Sequence, residues 1–389
     1  MAGQWPITEE GAEIIGLGVA SWSGGGTVCL GRDTRESGPA LSQALVQGLI
    51  KGGSTVIDLG VVPTAAVSCF AAAHPSVNAG VMLTASHNAW HDNGIKVLDA
   101  SGEKLTDTTD LTARFSEPVE QSPGSVSKHD DPLGPWRDAL PQINLTGLKI
   151  LFDGAHGAAF EAGRLALSTT GAEVLAVASE PNGRNINEGV GAMHPPTELH
   201  GCDIGICLDG DGDRLVLIDP KHGVLDGDDI LWMLAQRTTG PVIGTVMANG
   251  GLEAALNGRL VRTGVGDAKV HAEMLRSQAP VGGEPSGHIM IKGGMPTSDG
   301  IYTALRVLET APCGQLPVDG WTRLPQVNRS VRHVSVQPDL PAITEARNAA
   351  HRVLVRASGT EPVVRVMVEG PEAEQWAARI ADTLPRASD

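Results

Sequence analysis

Four short stretches carry side chains that could do chemistry together. Thr84-Ala85-Ser86-His87-Asn88 offers a hydroxyl beside an imidazole. Asp209-Gly210-Asp211-Gly212-Asp213-Arg214 offers hard oxygen ligands. Gly283-Glu284-Pro285-Ser286-Gly287-His288 puts a carboxylate, a hydroxyl and an imidazole close enough to grip neighbouring hydroxyls of a sugar. Arg356-Ala357-Ser358-Gly359-Thr360 combines a guanidinium fork, two hydroxyls and a glycine that lets backbone approach a phosphate. A nucleophilic serine, a cation site, a polyol reader and a phosphate reader describe phosphoryl transfer on a sugar phosphate. Each stretch alone has an ordinary explanation. Ser86 could be a turn serine, the aspartates an Asx/Gly turn, Glu284 to His288 a strand connector, and Arg356 a surface partner of Glu361. Their co-occurrence favours the chemical reading.

The aspartate stretch is the most constrained. On an extended strand Asp209, Asp211 and Asp213 would share one face. At about 6.7 Å per two residues, however, three carboxylates could not all reach an ion at ~2.1 Å. The intervening Gly210 and Gly212 let the chain curl so that the carboxylates converge. Oxygen ligands without nitrogen or sulfur favour Mg²⁺ over zinc. An EF-hand is disfavoured because no glutamate stands at its twelfth position, where Asp219 to Lys221 fall, and because strands flank the stretch. Mg²⁺ here would bridge an oxygen on Ser86 and offset charge on a transferred phosphoryl group, with Arg214 within reach of a phosphate oxygen.

These loops need elements to hold them. Strand-like and helix-like runs alternate from Thr27 onward: strand 27–31, helix 40–50, strand 55–59, helix 64–73, and strand 78–83 ending at Ser86. The pattern restarts after a polar stretch, Ser116 to Pro135, with strand 148–152, helix 157–169, strand 173–178, and strands 203–208 and 215–219 around the aspartates. A third unit runs from near Asp226, with helix 226–237, strand 242–246, a short helix at 252–256 and helix 298–309. A loose Pro/Gly-containing stretch, Ala311 to Pro325, precedes a final strand, helix, strand, strand, helix. The expected fold is α/β: three similar α/β domains with mixed, largely parallel sheets, plus a small C-terminal α+β domain around one central cleft. The expected boundaries are 1–131 with the serine loop, 132–225 with the metal loop, 226–325 with the sugar loop, and 326–389 with the phosphate loop. Ligands gather at the carboxyl ends of strands in such sheets, and Ser86 lies at one.

Bulk properties narrow the partners. The chain of 389 residues is long enough for two to four domains, is 41% hydrophobic, and carries a formal charge of −16. That acidity argues against a nucleic-acid or anionic-membrane partner, and scarce aromatics argue against a base-stacking platform. The five cysteines form no CxxC pair and sit mostly in apolar runs, as reduced thiols of a cytoplasmic protein would. No basic segment followed by an apolar one opens the chain, and no apolar stretch is long enough to span a bilayer.

The four motifs in this order resemble the α-D-phosphohexomutase superfamily over nearly the whole chain. Asp92-Asn93-Gly94-Ile95-Lys96 beyond the serine extends the match. Asp153-Gly154-Ala155-His156-Gly157-Ala158-Ala159, Asn185-Ile186-Asn187, Thr245 to Glu253, Val265-Gly266-Asp267 and Arg365 to Gly370 look most like the bacterial phosphoglucosamine mutases. The chain departs from them at Thr84, Ala89 and Ala268-Lys269, and only Met1 to Trp5 precede Pro6-Ile7-Thr8 where members carry a Gly-Thr-Asp-Gly-Ile-Arg-Gly-type segment. The resemblance implies interconversion of glucosamine 6-phosphate and glucosamine 1-phosphate through a phosphoserine enzyme and a hexosamine 1,6-bisphosphate. Phosphomannomutase or phosphoglucomutase activity, or a non-catalytic phosphosugar-binding paralogue, are the alternatives. It further implies Ser86 as phosphoryl carrier, His87 supporting its phosphate, Lys96 and His288 as proton-transfer groups, and Arg214 in catalysis. Glu284, Ser286, Arg356, Ser358, Gly359 and Thr360 would bind substrate. One Mg²⁺ per chain would be held by Ser86, Asp209, Asp211 and Asp213, a hexose or hexosamine 1,6-bisphosphate would act as activator, and a homodimer is compatible.

Overall fold

The computed structural model describes residues 1–116, 123–311, 313–337, 339–349, 351–357 and 363–386. By compactness the chain divides into two units, one of residues 1–243 and 263–318, the other of 244–262 and 319–389. The elements in chain order are α1 (Glu9–Trp22), β1 (Thr27–Arg32), α2 (Gly38–Lys51), β2 (Thr55–Val61), α3 (Thr64–Ala73), β3 (Val77–Leu83), β4 (Ile95–Leu98), α4 (Thr109–Ala113), β5 (Val126–Lys128), α5 (Gly134–Ala139), β6 (Lys149–Asp153), α6 (Ala162–Thr169), β7 (Glu173–Val177), β8 (Ile204–Leu208), β9 (Leu215–Asp219) and β10 (Gly223–Leu225). They continue with α7 (Gly227–Ala235), β11 (Val242–Thr245), α8 (Gly250–Ala255), β12 (Leu260–Thr263), α9 (Asp267–Ser277), β13 (Val281–Gly283), β14 (Ile289–Ile291), α10 (Gly300–Leu308), β15 (Gln326–Arg332), α11 (Pro341–Asn348), β16 (Arg352–Ala357), β17 (Val363–Glu369) and α12 (Ala373–Thr383).

In the larger unit the first sheet has the order β4-β3-β1-β2-β5 and the second β10-β9-β8-β6-β7. In the first, β1, β2, β3 and β5 run parallel and β4 returns antiparallel to β3. In the second, β6, β7 and β8 run parallel, and β9 returns antiparallel to β8. Likewise β13 runs parallel to β11, and β14 returns antiparallel to β13. Val28, Leu30, Val56, Val81 and Leu83 form the centre of the first core. Strands β8 and β9 are buried throughout, as strands covered on both faces must be. Helices α1 and α2 pack at close range because both present glycine: a Cβ on Gly16 would lie 2.3 Å from the Leu45 carbonyl oxygen, and one on Gly48 2.0 Å from that of Glu13.

The smaller unit carries the antiparallel sheet β15-β17-β16 with α11 and α12 on its apolar face. Its order of strand, helix, strand, strand, helix is the one expected. Elsewhere the structure adjusts the sequence reading. Helices α1 and α9 had no counterpart in it. The helix expected over 157–169 begins only at Ala162. Gly157 and Ala158 instead press against the aspartate loop: the Ala158 amide donates to the Gly210 carbonyl at 2.7 Å, and a Cβ on Gly157 would meet that oxygen at 2.3 Å. The polar stretch Ser116 to Pro135, of which 117–122 fall outside the described residues, contributes β5, which pairs with β2 through Val56 and Val126. Cys29, Cys69 and Cys207 are buried, Cys202 is half-buried and Cys313 exposed, all as free thiols. No helix among the described residues is long and apolar enough to cross a membrane.

Candidate active site

The serine, aspartate and sugar-type loops occupy one topological position. Each links a strand of a parallel pair to the strand that returns antiparallel beside it: β3 to β4, β8 to β9, and β13 to β14. All three thus leave the carboxyl end of a strand, where an α/β sheet offers unpaired backbone and room for a ligand.

Ser86 has φ 51°, the left-handed region, which costs a non-glycine residue roughly 1–2 kcal/mol. Its amide donates to Thr84 Oγ1 at 2.9 Å, and its Oγ donates to Asp209 Oδ2 at 2.6 Å. The three carboxylates converge, with ligand oxygens within 4.8 Å of one another. The curl turns on Gly212, at φ 77°, whose amide closes back onto the Asp209 carbonyl at 3.1 Å. Gly210 serves close approach instead, since a Cβ there would lie 2.6 Å from the Ser86 carbonyl oxygen.

Asp209, Asp211 and Asp213 are nearly or fully buried. Lys96 Nζ bridges Asp211 Oδ2 at 2.6 Å and Asp213 Oδ2 at 2.9 Å. Burial favours its neutral form, but the two carboxylates outweigh burial and raise its pKa, so Lys96 is an ammonium in this arrangement. Burial, with the charges of Asp213 and Asp211, pushes Asp209 up to about 7. Asp213 is held well below the usual range, because Lys96 and His288 overcome its burial. Thr64, the first residue of α3, donates its hydroxyl to Asp211 Oδ2, and its amide to the Asp211 carbonyl at 3.1 Å. Asp211 Oδ1 and Asp213 Oδ1 are buried without a hydrogen-bond partner. Crowded carboxylates with unused buried oxygens are what a hard divalent cation takes, so the donor set fits a metal.

Arg214 donates its amide to Asp209 Oδ1 at 3.1 Å and holds Nε 3.9 Å from Asp209 Oδ2. It also pairs across a bridge with His288, which joins the aspartate and sugar-type loops. His288 lies between two carboxylates, with Nδ1 3.6 Å from Asp213 Oδ1 and Nε2 3.8 Å from Asp267 Oδ2, and its Nε2 is 2.8 Å from Ser298 Oγ. Burial lowers its pKa, but Asp213 and Asp267 more than compensate and the net shift is upward. Burial, followed by the Arg214 charge, brings His87 down to about 4. His87 is therefore a neutral imidazole at neutral pH, and any support it lends a serine phosphate is a hydrogen bond rather than a charge.

Glu284 is half-buried and accepts from the Gly266 amide through Oε1 at 3.0 Å, while Ser286 is exposed. In the smaller unit Arg356 lies on β16, one residue before its end, paired in register with Arg365 of β17. Ser358, Gly359 and Thr360 fall outside the described residues.

Several residues at the site were missed from sequence. Thr64 looked like an ordinary helix start. Lys104, paired with Asp267 at 2.6 Å, had no signal. Asp33 and Arg35 follow β1, and β1 lies beside β3 with Arg32 opposite Leu83, so Arg35 and Ser86 leave the same sheet edge together. The rule that chemistry gathers at strand carboxyl ends could have flagged Arg35; the adjacency of β1 and β3 could not be read.

Comparison with known proteins places this geometry. The profile described as phosphoglucomutase/phosphomannomutase, alpha/beta/alpha domain I matches residues 1–119, domain III of the same family matches 226–319, and its C-terminal domain matches 323–386. The phosphoglucosamine mutase of Alkalilimnicola ehrlichii is 38% identical over 97% of this chain and 92% of its own. Phosphoglucosamine mutase 2 of Shewanella baltica is 37% identical over 99% and 97%. Among solved structures, a phosphoglucomutase/phosphomannomutase family protein from Burkholderia thailandensis superposes with TM-score 0.79 at 24% identity, covering 97% of this chain and 95% of that one. The Aspergillus fumigatus N-acetylphosphoglucosamine mutase, solved with GlcNAc-6P and magnesium, superposes with TM-score 0.64 at 20% identity, covering 92% and 82%. The chain belongs to the phosphoglucomutase/phosphomannomutase family, the α-D-phosphohexomutases.

Proposed function

We propose that this protein is a phosphoglucosamine mutase. The observation that carries the reading is the Ser86 hydroxyl, 2.6 Å from Asp209 Oδ2 at the edge of a buried, converging carboxylate triad. In the forward reaction the C1 hydroxyl oxygen of glucosamine 6-phosphate attacks phosphorus on phosphorylated Ser86. The bond from phosphorus to Ser86 Oγ breaks as the new bond forms, and the hydroxyl proton passes to a base. The resulting 1,6-bisphosphate turns around, and Ser86 Oγ attacks phosphorus of its 6-phosphate; the bond from that phosphorus to the sugar O6 breaks, and O6 takes up the proton. Glucosamine 1-phosphate is left behind.

Asp209, Asp211 and Asp213, with Ser86, would hold the metal. Oxygen ligands and the magnesium of the Aspergillus relative favour Mg²⁺, which when bound offsets charge on the transferred phosphoryl group. Lys96 and His288 are assigned the proton transfers, because the carboxylates beside them favour their protonated forms: either can give a proton to the departing oxygen and, having given it, accept one from the attacking hydroxyl. Arg214 and His87 are assigned to the phosphoserine chemistry, and Glu284 and Ser286 to the sugar hydroxyls. On residue type, Arg356, Ser358, Gly359 and Thr360 take the phosphate that is not reacting. Functionally the chain then reads as four segments, 1–131, 132–225, 226–325 and 326–389, each delivering one loop. A cytoplasmic setting, a bisphosphate activator and a homodimer complete the proposal.

The test is a coupled assay of protein primed with a hexose 1,6-bisphosphate, using glucosamine 6-phosphate, mannose 6-phosphate and glucose 6-phosphate in parallel. Glucosamine 6-phosphate should give the highest kcat/KM. A higher value for either neutral sugar overturns the substrate assignment, and no turnover with any of them overturns the enzyme.

A further inference from the structure

Ser86 stands in a left-handed backbone conformation inside a turn that the Asn88 amide closes onto the Ala85 carbonyl at 3.1 Å. The Ser86 amide donates to Thr84 Oγ1, only two residues away, and its left-handed φ of 51° is one that serine rarely adopts. Further restraint comes from two side chains outside the loop. Arg35 is fully buried. Its Nη2 donates to the carbonyls of Ser86 at 2.9 Å and Asn88 at 2.8 Å, and its Nη1 to that of Asp92 at 2.9 Å and to that of Ala89. Its Nε is anchored on Asp33 Oδ2 at 2.9 Å, and Asp33 Oδ1 accepts from the Arg35 amide at 3.0 Å. From the other side, Asn187 Nδ2 donates to the same Ser86 and Asn88 carbonyls at 2.9 Å and 3.0 Å.

We propose that Arg35 and Asn187 are positioning residues that together hold Ser86 in the conformation from which it carries phosphate. The proposal rests on the reading of Ser86 as phosphoryl carrier. A carbonyl oxygen accepts two hydrogen bonds, and both acceptors of the Ser86 and Asn88 carbonyls are taken up, one by each side chain. The four carbonyls that Arg35 holds span the turn from Ser86 to Asp92, so the planar fork fixes the turn as one rigid piece. An ammonium could not replace it, having fewer donors and no fixed plane. Asp33 keeps the guanidinium from swinging toward the carboxylate triad. The two clamps reach the loop by different routes: Arg35 from the strand next to β3, and Asn187 from the segment between β7 and β8. Phosphoryl transfer depends on placing the nucleophile in line, and a displacement of 1 Å costs about 10²-fold in rate. Neither side chain is a catalytic residue, since their hydrogen bonds go to backbone carbonyls and, for Arg35, to Asp33.

The experiment compares Asn187→Ala, Arg35→Lys and Ser86→Ala with wild type. It measures kcat and KM for glucosamine 6-phosphate, the rate at which glucose 1,6-bisphosphate phosphorylates the protein, and hydrogen exchange across residues 84–92. Asn187→Ala should lower kcat and the phosphorylation rate by about 10–100-fold with KM within twofold, and should speed exchange in that segment. Arg35→Lys should lower kcat at least as far. Should it fail to fold, Asn187→Ala, which removes one neutral amide, carries the test. Asn187→Ala with kcat and phosphorylation within twofold of wild type overturns the proposal, as does a loss confined to KM. An active Ser86→Ala overturns the carrier reading itself, an outcome distinct from a dead Ser86→Ala beside a fully active Asn187→Ala.

Discussion

Two ionic clusters in this molecule use the same side-chain types to opposite ends. In the smaller unit Glu369 is 4% exposed and receives the fork of Arg352, with Nε and Nη2 donating at 2.9 and 2.8 Å, plus the Gly250 amide at 2.8 Å. The remaining Arg352 donors go to the carbonyls of Val246 and Ala248. Burial raises Glu369, but these donors outweigh it and its pKa falls. In the larger unit three carboxylates crowd one another and leave buried oxygens unpartnered: Lys96 bridges Asp211 and Asp213, and Asp209 is pushed up to about 7 by burial and by its neighbours. A matched pair fixes a joint in the fold. An unmatched cluster stores like-charge repulsion that only an arriving cation or a rearranged ammonium relieves, and such a store persists where function uses it.

The sharpest way to break the comparison is a charge removal on each side. Asp211→Asn should cut turnover by about 10²–10³-fold. It should leave the metal-free fold within ~1 kcal/mol of wild type, because one of several crowded charges is gone. Steady-state kinetics and urea unfolding in chelator read the two effects. A loss of stability as large as the loss of activity would place Asp211 with Glu369 as a structural carboxylate. Arg352→Ala is the mirror experiment. It leaves Glu369 buried without its fork and should cost roughly 3–5 kcal/mol in urea unfolding; a cost below 1 kcal/mol would dissolve the distinction.

Metal should separate the clusters as well. Mg²⁺ at one hundred times its Kd should stabilise the wild type by about 2.7 kcal/mol. That increment should vanish in Asp211→Asn and survive in Arg352→Ala. Thermal unfolding with and without chelator measures it, and an equal increment in all three proteins would put the cation elsewhere.

A smaller effect concerns Asp299, which caps α10 through the Tyr302 amide and accepts from the Trp136 indole. Burial brings its pKa up to about 6 despite those donors. A folded pKa above the unfolded one means that the native state holds the extra proton. Stability is therefore greatest below the unfolded value, near 4, and declines as pH rises toward 6. Asp299→Asn keeps an acceptor and a cap without the titration. Relative to wild type it should gain on the order of 1–3 kcal/mol between pH 4 and pH 7. Urea denaturation across that range checks it, and a flat difference would show that Asp299 is relieved by other means.

Much of this was legible in the chain itself. Apolar runs and helical apolar spacing located β1, α2, β2, α3 and β3 closely, since strands buried on both faces read as apolar runs and their connections are short. Helix α1 escaped because its contact with α2 relies on glycines, which weaken an apolar signal while permitting the closest packing. Helix α9 escaped because its buried face is narrow, with Val270 and Met274 as its buried residues.

For the site, spacing picked out the three aspartates, whose carboxylates do converge, because hard-ligand chemistry demands particular atoms close together in sequence; the serine and the glutamate–histidine loop stood out only through their co-occurrence with the aspartates and the family resemblance. What spacing could not supply is adjacency between distant segments. That Lys96 bridges Asp211 and Asp213, that Thr64 meets the same carboxylate, and that Arg35 and Asn187 share the carbonyls of Ser86 and Asn88 follow from strand order and loop packing. The protonation of Lys96 and the neutrality of His87 were likewise decided by tertiary structure, because a pKa is set by burial and by charges brought near through space rather than along the chain.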